Sequence, residues 1–102
     1  MRPNKPQGLT VNSIDHESVE FSWSPVEYFG GIKHYKIRRD GQVIDTVTDT
    51  EYHDSGLDEE TEYTYRVSAV SEDGEESGLS ERLIITTDEA PPPPEPDPDE
   101  ED

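Results

Sequence analysis

The sequence predicts an all-β protein: a seven-stranded antiparallel β-sandwich followed by a proline- and acid-rich tail. Three observations carry this reading. Apolar residues recur at every second position in segment after segment, the period of a strand buried on one face. Gly, Pro, Asp and Ser separate those segments at short intervals, as an all-β sandwich requires. No segment carries the 3.6-residue period of a helix.

The strands follow in order. Leu9, Val11 and Ile14 mark the first, with a slip in the alternation near its end. Val19, Phe21 and Trp23 mark the second. Tyr35 and Ile37 point inward in the third, IKHYKIRR, which leaves His34, Lys36 and Arg38 outward. Asp40-Gly41 is a two-residue hairpin signal, and Val43, Ile44 and Val47 follow in the fourth strand. Residues 51–54 make a short fifth. TEYTYRVSAV, residues 61–70, supplies the sixth, with Tyr63, Tyr65, Val67 and Ala69 on one face. LIITT, residues 83–87, closes the domain.

Residues 88–102, DEAPPPPEPDPDEED, hold six prolines and eight acids. That segment lacks the apolar surface to offset its chain entropy, so a disordered, semi-rigid tail or linker is expected there. The folded domain is expected over residues 5–87.

The net charge of −18 excludes the clustered basic excess that neutralises nucleic-acid phosphates. It also opposes docking on anionic lipid, and no apolar run approaches the ~18 residues of a membrane span. Such a surface favours solubility as a monomer and suits high salt, where screening relaxes self-repulsion. Without cysteine there is neither a disulfide framework nor a thiolate metal site.

In this order the residues resemble a fibronectin type III domain, the immunoglobulin-like module found between units of large secreted microbial proteins. The pieces are Pro6-x-x-Leu9, Trp23-Ser24-Pro25, Tyr35-x-Ile37-x-Arg39-Asp40-Gly41, Tyr52-x-Asp54-x-x-Leu57, Tyr63-x-Tyr65-x-Val67-x-Ala69-Val70 and Gly74-x-x-Ser77-x-x-Ser80. Asp58-Glu59-Glu60 departs from the proline-glycine turn frequent in the family. The resemblance implies that Tyr63 is the tyrosine corner, its hydroxyl bonded to backbone a few residues upstream, and that Leu57 plugs the same end of the core. Trp23, Tyr35, Tyr65 and Val67 complete the expected core. It further implies an extracellular or cell-surface location, with neighbouring domains of the same chain as partners.

No catalytic constellation is present. His16, His34 and His53 are isolated, and there is no nucleophile elbow or phosphate loop. No cofactor is expected. Asp58-Glu59-Glu60 and the acids at 72, 73, 75 and 76 read as solvated loops, since neither has the spacing of a calcium loop. The loop after the sixth strand, SEDGEESG, lacks the Arg-Gly-Asp through which members of this family meet integrins.

Two candidate binding surfaces remain. One is the adjacent pair Tyr28 and Phe29 before Gly30-Gly31, since loop aromatics serve as contact anchors. The other is a basic strand face of His34, Lys36, Arg38 and Arg66, with Lys33, Arg39 and Arg82 nearby. The expectation is a counter-surface for an acidic partner, either the tail or a neighbouring module, set against cross-strand pairing and solubility as the reason for the same stripe. The function expected is a non-catalytic spacer or presentation module of a larger secreted or surface protein. The alternative is a binding module for a polysaccharide or protein through one of these surfaces.

Overall fold

The computed structural model describes residues 2–92. The strands are β1 (Thr10–Ile14), β2 (Ser18–Ser22), β3 (Ile32–Arg39), β4 (Gln42–Val47), β5 (Glu51–Ser55), β6 (Glu62–Ser71) and β7 (Leu83–Thr86). They form two antiparallel sheets, β1-β2-β5 and β4-β3-β6-β7, and no helix occurs among the described residues. The tail expected to be disordered lies mostly at residues 93–102, outside the described residues.

Two irregularities in the apolar pattern have a structural cause. In β1, Val11 faces Phe21 and Ser13 faces Glu20, so Asn12 is an extra residue in a β-bulge. That bulge is the slip between Val11 and Ile14. In β4, Asp45 faces Ile37 and Val43 faces Arg38, which makes Ile44 the extra residue. Ile44 therefore packs toward the core while Val43 stays exposed. The β3–β4 turn places Asp40 at φ 51° and Gly41 at φ 89°, the left-handed pair of a tight hairpin. Its amide donates to Thr64 O at 2.8 Å, and its carboxylate accepts from Thr64 N–H at 2.9 Å, which ties the turn to β6.

The core lies between the sheets. Val19, Phe21 and Trp23 meet Tyr35, Ile37, Tyr65, Val67, Ala69 and Ile85, all buried. Phe21 is the hub of the rings, 4.9 Å from Tyr65 and 5.8 Å from Trp23. Trp23 packs edge-on against Tyr35 at 5.5 Å, and the Tyr35 hydroxyl accepts from Val26 N–H at 3.0 Å. Such offset and edge-on ring pairs add about 0.5–1.5 kcal/mol each beyond area burial. Leu57 closes one end.

Tyr63 is only partly buried, and its hydroxyl accepts from Asp58 N–H at 2.9 Å. The group a phenylalanine here would orphan is thus a donor on an exposed turn, not a buried acceptor.

Among the described residues, no strand lines the outer side of the far half of β6; serines replace it. Ser77 N–H donates to Ala69 O at 2.8 Å while Ser77 Oγ accepts from Ala69 N–H at 2.8 Å. Ser80 repeats this on Val67, at 2.8 and 2.9 Å. The Ser-x-x-Ser spacing lets an irregular segment satisfy every second residue of a buried strand edge.

Candidate functional site

Among the described residues, no group of three or more His, Cys, Asp or Glu is placed to hold a metal ion, and no helix is long and apolar enough to cross a membrane. Polar chemistry gathers instead in three places.

The first is internal and escaped the sequence reading. Asp54 on β5 is 6% exposed. Its Oδ2 accepts from the Tyr65 hydroxyl at 2.6 Å and from Arg39 Nη1 at 2.7 Å. Burial, then the bond to Asp54 and its charge, raises the Tyr65 pKa far above that of a free phenol. The hydrogen bond to Asp54 holds the Arg39 guanidinium charged. Neighbouring Tyr52, whose hydroxyl reaches Asp45 at 3.3 Å, has its pKa pushed up to about 12 by burial and by the Asp45 charge. A phenol locked in its neutral form and bonded to a buried ion pair is a structural clasp between sheets. The sequence signal was Tyr52-x-Asp54, a lone acid at an inward strand position.

The second place is the outer face of β4-β3-β6-β7. His34, Lys36 and Arg38 lie on β3 and Arg66 lies directly across from Arg38 on β6. Lys33 and Arg82 are exposed at the margin. Glu76, read from sequence as part of a solvated loop, sits on this face. Its carboxylate takes Lys36 Nζ at 3.1 Å, Arg38 Nη2 at 3.4 Å and the buried Ser68 hydroxyl at 2.8 Å. Burial opposes its ionisation, but the Ser68 and Lys36 hydrogen bonds and nearby positive charge lower its pKa below the usual glutamate range. The solvated-loop expectation fails because Val70 and Glu76 form an antiparallel bridge that turns this side chain over β6. Part of the basic stripe is thus neutralised from within.

The third place is the end of the sandwich near Tyr28 and Phe29. Gly31 N–H donates to Tyr28 O at 2.9 Å, and Glu72 N–H donates to Gly31 O at 3.1 Å, joining this loop to the one after β6. Tyr28 is half-buried, and desolvation plus the charges of Asp73 and Glu75 raise its pKa. Phe29 is 96% exposed and borders a shallow hollow with Gly30, Gly31, Glu72 and Asp73. Asp73 is engaged by the Ser71 hydroxyl, which lowers its pKa.

Comparison with known proteins follows the same lines. The chain is 36% identical over 85 residues to chitinase 63 of Streptomyces plicatus, a match covering 83% of this chain and 14% of the chitinase. An α-amylase of Niallia circulans matches at the same identity and the same share of this chain, but over 7% of its own length. The chain therefore spans only a small fraction of these relatives. Among solved structures, the fibronectin type-III domain of human fibronectin type III domain containing protein 3 superposes with a TM-score of 0.74. That match covers 86% of this chain and 88% of the other at 21% identity, a likeness of fold. The family model for the fibronectin type III domain matches residues 4–86. With the two-sheet topology, the tyrosine at the corner and this match in hand, the chain belongs to the fibronectin type III domain family.

Proposed function

We propose that this is a non-catalytic spacer and presentation module of a larger secreted or surface multidomain protein. The observation that carries the reading is the placement of its two ends. The chain arrives beside Ser24, whose amide donates to Gln7 O at 2.9 Å. It departs beside Asp15, whose carbonyl accepts from Asp88 N–H at 3.1 Å. β2 runs between those two points, so the module sits in line between whatever precedes and follows it. Support also comes from the relatives: chitinase and α-amylase carry similar segments at equal identity, so the segment is not what separates those activities. The test is sedimentation of the domain with insoluble chitin and starch, read with amide spectra of the soluble fraction. A spacer stays in solution with unshifted amides. Retention on either polymer overturns the reading.

A second reading is favoured by Phe29. A phenyl ring held in solvent beside a half-buried tyrosine and hydrogen-bond acceptors is a contact anchor for a polysaccharide or protein. If it serves so, Phe29→Ala abolishes retention while the melting temperature stays the same, and amide shifts on titration concentrate between Tyr28 and Gly31.

A further inference from the structure

The outer face of the four-stranded sheet holds a pair of like charges of which, among the described residues, only one, Arg38, is met by a carboxylate of the domain. Arg38 and Arg66 are direct cross-strand partners, a placement that repels. Glu76 reaches Arg38 but not Arg66: its ion pairs are to Lys36 and Arg38. Among the described residues, the Nε groups of both arginines lie out of solvent without an acceptor. The two side chains line a hollow of about 130 Å³ with Gly41, Thr64 and Leu79. Apolar surface flanks it: Val43, opposite Arg38, is 48% exposed, and Ile84, opposite Thr64, is 55% exposed. Two guanidiniums bordered by aliphatic side chains suit a carboxylate presented next to an apolar ring.

We infer that this face binds the acidic proline segment, residues 95–102, of a second copy of the chain. The segment alternates the two required chemistries, Glu95-Pro96-Asp97-Pro98-Asp99, and ends in three further acids. Its charge opposes that of the face. Delivery from another copy rather than the same one is the choice favoured by where residues 88–90 are tied. Asp88 N–H is tied to Asp15 O in the β1–β2 turn, and Ala90 N–H donates to the Glu59 carboxylate at 2.5 Å. Residues 88–90 are thus held at the β1–β2 turn and at Glu59 in the loop between β5 and β6, not on the face that carries Arg38 and Arg66. The inference goes beyond the spacer reading, giving neighbouring copies a salt-sensitive cross-contact.

The test uses the full chain with its six acids at 95–102 changed to the matching amides, so that only an added peptide supplies carboxylates. The probe is a synthetic peptide of residues 91–102, and the readout is the Arg38 and Arg66 Nε–H resonances at low salt. Saturable shifts are expected, lost by 0.5 M NaCl and weakened about tenfold or more by Arg66→Gln. Unchanged Tyr65 and Val67 amides certify the fold of that variant, and Arg66→Lys, which keeps the charge but not the fork, serves as a second. Equal shifts with an amide version of the peptide, or no shifts, overturn the proposal. In the unmodified chain the same resonances move between micromolar and millimolar concentration. Their being already shifted and concentration-independent places the segment on its own domain and overturns delivery from a second copy.

Discussion

The Tyr65 hydroxyl donates to Asp54 Oδ2 across 2.6 Å, and this bond joins the two sheets through β5, an edge strand of the three-stranded sheet. Tyr65 belongs to the four-stranded sheet and Asp54 to the three-stranded one. Arg39, from the same sheet as Tyr65, completes the join from its solvent side. Tyr65→Phe leaves a buried carboxylate with one partner fewer and is expected to cost about 1–3 kcal/mol. Asp54→Ala strands both partners and is expected to cost about 3 kcal/mol. Urea unfolding of the two single variants and the double variant checks this. Because both mutations remove the same bond, the double variant costs less than the sum.

Ser80 is 1% exposed and its hydroxyl is the acceptor for the Val67 amide. Ser80→Ala leaves that N–H buried without a partner, at about 1–3 kcal/mol. Hydrogen exchange at Val67 is the direct measure. Its protection is expected to fall further than that of Ile37, which faces Val67 from the opposite side of β6.

Glu76 makes stability depend on pH in a definite sense. Its folded-state pKa lies below its ordinary value, so ionisation is favoured by folding. The stabilisation is complete above about pH 5 and is lost as pH falls through the folded-state pKa. Glu76→Gln is expected to cost about 1 kcal/mol at pH 7, a modest figure because the carboxylate is about one-third exposed (32%). The gap between variant and parent narrows as pH falls through the folded-state pKa of Glu76. Thermal melts at pH 3, 5 and 7 read it out, and a gap that stays constant refutes the assignment.

Tyr63→Phe removes the acceptor for Asp58 N–H. Asp58 is exposed, so water replaces the bond. The expected loss is about 0.5–1.5 kcal/mol, smaller than for Tyr65→Phe. Equilibrium unfolding of the two phenylalanine variants side by side gives the order.

The strands were legible because their information is local. Phe21, Tyr35, Ile37, Tyr65 and Val67 announce the inward face by alternation alone. The basic face was legible for the same reason, since Lys36 and Arg38 alternate with Tyr35 and Ile37. What stayed hidden depends on chain reversal. Glu76 meets Lys36 across forty positions, and in a loop of four acids nothing marks it out. Asp54 was hidden by composition, one carboxylate among 26 acidic residues. The bulge at Ile44 is likewise invisible, because two adjacent aliphatics fit either face until the partner strand fixes the register.

The in-line placement of the two ends also decides how the module bears a pulling force. Tension between them acts on β1 toward its Thr10 end and on β7 toward its Thr86 end, parallel to both strands. The ladder bonds of β1 to β2 and of β7 to β6 lie across that direction. They are loaded in shear and must yield together instead of peeling one at a time. Ahead of them in the load path stand the Asp88–Asp15 and Glu60–Asp88 backbone bonds, a small latch that a pull on the C-terminal side meets before it reaches the β7 ladder.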